Sequence, residues 1–184
     1  SGYKLGNHVN LDVTTKITDP SVKEFVNKAQ MFIDGTPLYQ VSASTGIDKG
    51  FLEKGMEYSG STAPSAVYTI LVNKPGADIS AGTLAVKDTL GNDKMIYLPD
   101  SFQVSNANTS EAIREAVISV GDRSFEISNL PDETPIRIVY KVMLNGAVGS
   151  TISTKNTAKL YYSSQESVED TVEEAVKIVK PWAT

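Results

Sequence analysis

Apolar residues recur at every second position in short runs, and Gly, Pro, Asn or Asp interrupts each run. That period belongs to the strand, because successive side chains point to opposite faces of a sheet. HVNLDVTTKI places Val9, Leu11 and Val13 on one face, and TLAVKDTL groups Leu84, Val86, Asp88 and Leu90. PIRIVYKVML carries Ile136, Ile138, Tyr140, Val142 and Leu144 together. In VYTILVN, Tyr68, Ile70 and Val72 alternate with Val67, Thr69 and Leu71, which suits a central strand. Short strands with regular turn signals predict an all-β fold: an antiparallel β-sandwich with at most one short helix. The helix is expected in TSEAIREAV, with Thr109 or Ser110 as N-cap and Glu111 in the first turn. In the tail SVEDTVEEAVKIVK, Val168, Val172, Ala175, Val176 and Val179 fit a helical stripe, yet the segment also alternates. A final edge strand is expected there, because a short uncapped helix is marginal.

Two asparagines break the pattern. TISTKNTAKLYY puts Asn156 on a face with Ile152, Thr154, Ala158, Leu160 and Tyr162. EFVNKAQMFI puts Asn27 with Phe25, Ala29, Met31 and Ile33. A carboxamide on a core face is costly unless it is satisfied. The two lie roughly 130 positions apart in similar strand–turn–strand settings, a domain-sized repeat. The residues before the second copy are too few for a whole sandwich. Residues 1–45 are therefore expected to be the C-terminal hairpin of a truncated preceding domain. Residues 46–180 are expected to form a complete domain, and 181–184 a linker to a following one. A lone hairpin is barely stable, so it should dock, pair through its open edge or be disordered.

Composition removes several chemistries. Cysteine is absent, which excludes disulfides, thiolate nucleophiles and zinc–cysteine sites. With His8 as the one histidine, Ser-His-Asp catalysis and histidine metal clusters are disfavoured. No EF-hand spacing of carboxylates is present, so neither a metal nor a cofactor is expected. A net charge of -5 without a basic stripe argues against nucleic acid. No apolar run reaches the length of a membrane span, so no membrane insertion is expected in this segment, and no signal peptide is recognisable. The opening Ser1-Gly2 reads as an appended remnant, so missing targeting signals say nothing about location.

TTKITDPSVKEFVNKAQMF resembles the closing strands of the second ligand-binding subdomain in staphylococcal collagen-binding adhesins. EKGMEYSGSTAPSAVYTILVNKPGADISAGTLAVKDTL resembles the opening half of the same domain type, which recurs in Gram-positive adhesins and pilin subunits. A strand with Lys-Gly, a YTI-x-VN strand, a V-x-D-T-L strand and a closing NTA-x-L-x-Y strand follow in order. The resemblance implies an immunoglobulin-like domain locked by an intramolecular amide between a first-strand lysine and a late-strand asparagine, promoted by a buried acid. Carried over by residue, these are Lys54, Asn156 and Asp88. Strand parity supports the assignment: Lys54 lies with Leu52 and Met56, Asp88 with Val86 and Leu90, and Asn156 with Thr154 and Ala158. Burial favours neutral forms, so an uncharged amine can attack the carboxamide while a protonated acid polarises it. Lys49, on the opposite face with Ile47 and Phe51, is the alternative lysine if a bulge shifts the register. Asn27, without its own lysine and acid, is expected to stay unbonded.

Without such neighbours Asn156 would read as a core amide at a bulge, and Asp88 as a salt-bridged carboxylate or a turn former before GND. KPGAD reads as a turn, ESVEDTVEE as a solvated segment or linker, and Trp182 as the lead-in to a further domain. His8 is expected on an exposed strand or its turn. The resemblance implies a stalk module of an extracellular, cell-wall-attached surface protein, not an enzyme, with neighbouring domains of the same protein as partners. The alternative is a recognition domain for a host matrix protein or glycan. Its candidate aromatics, Tyr58, Tyr97 and Tyr162, are not grouped in sequence. No carboxylate pair points to a hydrolase.

Overall fold

The computed structural model describes residues 24–33, 36–46, 50–162 and 167–182, the stretches up to residue 46 as backbone alone. The first strands are β1 (Glu24–Ile33), β2 (Thr36–Gly46), β3 (Leu52–Glu57), β4 (Ser65–Val72), β5 (Leu84–Leu90), β6 (Met95–Tyr97) and β7 (Gln103–Asn106). They are followed by β8 (Val117–Val120), β9 (Ser124–Leu130), β10 (Ile136–Leu144), β11 (Thr151–Ser153), β12 (Asn156–Tyr161), β13 (Ser167–Val172) and β14 (Ala175–Lys177). One 3-10 turn, Pro99–Ser101, is the only helical segment among the described residues.

β1 and β2 form an antiparallel hairpin from Glu24↔Gly46 to Ile33↔Thr36, with Asn27 opposite Ala43. The run 9–13, expected to pair with β1, lies outside the described residues. The strand over 36–46 escaped the sequence reading because Tyr39 and Val41 share their face with small Ala43 and Thr45 while Leu38 lies on the other face with Gln40 and Ser42, a weak hydrophobic contrast.

The remainder is the expected immunoglobulin-like sandwich. One sheet runs β3-β4-β10-β6 with β7 also on β10, and the other runs β13-β12-β5-β9-β8. Every pairing is antiparallel. The inner residues of β10 (Ile136, Ile138, Tyr140, Val142, Leu144) are buried, and its Arg137 and Lys141 are exposed. On the facing sheet Val86, Phe125, Ile127, Ala158 and Leu160 close the core. Fully burying a large apolar side chain contributes about 1.5–3 kcal/mol, so these alternating rows hold the two layers together.

Two local expectations fail. TSEAIREAV forms no helix; it folds back along β7. The Asn106 side-chain oxygen accepts from the amides of Asn108 (2.8 Å) and Thr109 (3.1 Å). Ser110 then takes a positive φ of 63°, and Ile113 N–H donates to the Val104 carbonyl. An asparagine carbonyl just ahead of a short run competes with the first helical turn for the same amides. The acidic stretch ESVEDTVEE is likewise not a linker: residues 167–172 form β13, paired with β12. Its ladder is held by cross-strand polar pairs, Lys159–Glu169 at 3.0 Å and Thr157–Thr171 at 2.8 Å, which hydrophobic periodicity does not report. The tail alternates as expected, divided into two strands; β14 pairs with β11 and buries Val176. KPGAD is a turn, with Asn73 and Gly76 at positive φ.

Gly91 positions the far end of β5 against the residue before Asn156. Its amide donates to the Lys155 carbonyl at 2.8 Å. A Cβ at this position would lie 2.7 Å from that oxygen and 2.8 Å from the Lys155 Cβ. Gly91→Ala is therefore expected to push the β5 and β12 ends apart and cost about 1–3 kcal/mol, read as a lower denaturant midpoint.

Candidate functional site

Lys54, Asp88 and Asn156 converge in the interior, reached from both layers of the sandwich. Lys54 comes from edge strand β3, where it lies opposite Ile70 of β4. Asp88 comes from β5 of the other sheet, opposite Ala158 of β12 and Phe125 of β9. Asn156 lies opposite Leu90, so Asp88 and Asn156 are diagonal neighbours on one inner face. Strand parity sends all three inward, and all three are buried.

The contacts are short. Lys54 Nζ donates to Asp88 Oδ2 at 2.6 Å, with both side chains fully shielded from solvent. Lys54 Nζ also donates to the Tyr140 hydroxyl. That hydroxyl donates to Asp88 Oδ2 at 3.0 Å and reaches Asn156 Oδ1 at 3.5 Å. The Tyr97 hydroxyl donates to Asp88 Oδ1 at 2.7 Å. The Asn156 amide nitrogen Nδ2, by contrast, is buried without a hydrogen-bond partner. A buried unsatisfied donor costs about 1–3 kcal/mol, and such a group calls for an explanation in a native core.

Aromatic rings wall the site. Tyr140 stacks on Tyr68 at 5.5 Å and on Phe102 at 5.2 Å, while Phe125 meets it edge-on at 4.9 Å. Lys54 Nζ lies 5.0 Å from the Tyr68 ring centre and 5.1 Å from that of Tyr140. In this dry setting burial pulls the Lys54 pKa below its ordinary value, and the nearby Asp88 only partly offsets the effect. Burial, reinforced by Asp88, raises the Tyr140 and Tyr97 phenols, so both keep their protons.

A further acid acts from the sandwich edge. Lys54 N–H points away from β4 and donates to Asp170 Oδ2 of β13 at 2.8 Å. The two sheets are thereby joined beside the site through an edge amide that its own ladder leaves open. The sequence reading missed Asp170 because it sits in an acidic run that reads as surface. It also missed Tyr140 and Tyr97 as site residues. Tyr140 carried a usable signal: a tyrosine on an inward face needs a partner for its hydroxyl. Tyr97 and Tyr162, weighed as surface aromatics, are buried. Lys49 and the side chain of Asn27 lie outside the described residues, and no cluster of metal-ligating residues occurs among the described ones.

Fold and site together define an immunoglobulin-like sandwich with a lysine, a carboxyl and a carboxamide meeting between its sheets. No family model and no curated protein matches the sequence. Solved structures share the fold. The collagen binding domain of the Erysipelothrix rhusiopathiae surface protein RspB superposes with a TM-score of 0.54 at 15% identity, over 89% of this chain and 57% of that one. The collagen binding subdomain of the Enterococcus faecalis surface protein ACE gives 0.53 at 16%, over 71% and 98%. The collagen-binding domain of a Staphylococcus aureus adhesin gives 0.51 at 11%, over 69% and 97%. The chain thus spans little more than half of the RspB structure and nearly all of the other two.

Proposed function

We propose that this chain is a structural module of a Gram-positive cell-surface adhesin or pilus-like protein, and that residues 46–180 lock themselves with an amide between Lys54 and Asn156. The observation that carries this reading is the orphaned Asn156 Nδ2 beside a lysine–carboxylate contact in a dry interior. That nitrogen is the atom the reaction discards as ammonia. Lys54 passes a proton to Asp88 and becomes a nucleophile. Its lone pair adds to the Asn156 side-chain carbonyl carbon, and Asp88 returns a proton to the departing nitrogen. Holding the reactants in one rigid core supplies much of the rate. The step occurs once, so the acid promotes self-processing and not turnover. Lys54 belongs to one sheet and Asn156 to the other, so the bond welds the layers against unfolding and pulling.

Intact-mass spectrometry of the purified full chain tests this. The expected mass is one ammonia below the sequence value, with peptide mapping joining Lys54 to Asn156. An uncorrected mass rejects the crosslink, and a link to Lys49 rejects the assignment of the lysine. The fold shared with three collagen-binding domains supports a second reading, recognition of a host matrix protein. Saturable binding of the full chain to immobilised collagen would favour it over a purely positional role.

A further inference from the structure

We propose that Tyr140 is a catalytic residue of the crosslinking step, its hydroxyl stabilising the oxyanion that forms on Asn156 Oδ1, with Tyr97 positioning Asp88. The inference rests on the crosslink reading above and names groups that reading does not use.

The Tyr140 hydroxyl has one proton and two acceptors in view, Asp88 Oδ2 at 3.0 Å and Asn156 Oδ1 at 3.5 Å. While Asp88 is a carboxylate, the nearer and charged oxygen holds that proton. Once Lys54 has passed its proton to Asp88 Oδ2, that attraction falls and the hydroxyl can turn to Asn156 Oδ1. The donor then meets the atom where negative charge is about to build. As Nζ bonds to Cγ, the carbonyl π pair moves onto Oδ1 and the Tyr140 hydrogen bond strengthens. Asp88 gives its proton to Nδ2 and takes the surplus proton of Nζ. The Cγ–Nδ2 bond breaks, the π pair re-forms the carbonyl, and ammonia departs. One ammonium and one carboxamide become one secondary amide and one ammonia, with the proton that Lys54 first gave up left on Asp88; Tyr140 ends as it began.

The geometry favours Tyr140 over its neighbours. Its ring is clamped between Tyr68 and Phe102, with interplanar angles of 10° and 8°, so the hydroxyl cannot swing aside. Such preorganisation is what makes a donor effective in a water-free site. The Tyr68 hydroxyl is already committed to the Thr154 carbonyl at 2.8 Å. The Tyr97 hydroxyl donates to Asp88 Oδ1, which leaves Oδ2 facing Lys54. Because both phenols stay protonated on burial, Tyr140 acts as a hydrogen-bond donor and not as a base.

The test follows ammonia loss with time by intact mass in the full chain, for wild type, Tyr140→Phe and Tyr97→Phe, each made in a short cell-free synthesis pulse and sampled into acid from the moment of folding. Tyr140→Phe is expected to react about 10²–10³-fold more slowly, the cost of removing one oxyanion donor. Tyr97→Phe should slow less and shift the pH dependence of the rate, since it acts through Asp88. Tyr140→Phe reacting at the wild-type rate overturns the proposal and leaves the crosslink standing. A wild-type chain that keeps its full mass overturns both. If Tyr140→Phe does not fold, a crystal structure of the crosslinked wild type decides. The new amide oxygen should lie within hydrogen-bond distance of the Tyr140 hydroxyl, and an oxygen turned elsewhere rejects the role.

Discussion

Asp88→Ala is expected to leave the chain at its full sequence mass and to lower its melting temperature by about 10–20 °C. The first effect is chemical. Without the carboxyl, Lys54 has no acceptor for its proton, and the Asn156 nitrogen has no donor to help it leave. The second effect is entropic in its larger part, and the Lys54 amine left in the core without its carboxylate adds to it. An amide from residue 54 to residue 156 closes a loop of about 100 residues, for which the disulfide analogy gives about 4.7 kcal/mol. In a domain of this size each kcal/mol moves the melting temperature by about 2–4 °C. Asp88→Asn is the companion variant. It keeps the shape and an acceptor for Tyr97 while removing the acid, and should also stay unreacted. An alanine variant that still lacks one ammonia would show that the acid has been misassigned.

Lys54→Met should be more damaging than loss of the bond alone, and a second substitution should repair part of it. The methionine removes the nucleophile and leaves Asp88 in a core from which water is excluded. Breaking one side of a buried ion pair typically costs about 3–5 kcal/mol, because the remaining charge loses its compensation. Tyr97 and Tyr140 still donate to the carboxylate and soften that cost. In Lys54→Met/Asp88→Leu both charges are gone and the volume is filled by apolar atoms. The double variant is expected to be more stable than Lys54→Met, yet below a wild type that carries the proposed crosslink. Denaturant midpoints of the three chains check the order. A double variant no more stable than the single one would show that the isolated carboxylate is not what destabilises the core.

Much of the candidate site was legible in one dimension because strand parity is local. Alternation alone put Lys54 beside Leu52, Asp88 beside Val86, and Asn156 beside Ala158, and each is buried on that face. The same reasoning failed where local hydrogen bonds overrode periodicity. The Asn106 side chain captured the amides that a helix would have used. The run 36–46 carried too little apolar contrast to show as a strand.

By itself the sequence determined the all-β class, the inward faces and the identity of three polar residues on them. Periodicity of two and the cost of burying charge require nothing more than neighbours along the chain. Only the tertiary structure decided that those residues meet. Lys54 and Asp88 are separated by 34 positions and stand on opposite sheets, and the Lys54 amide finds Asp170 across 116 positions. It also decided that Tyr97 and Tyr140 bring their hydroxyls to the same point and that Asn156 Nδ2 has no partner there. Strand order and the facing of two layers set such distances, and neither is written in any single stretch of the chain.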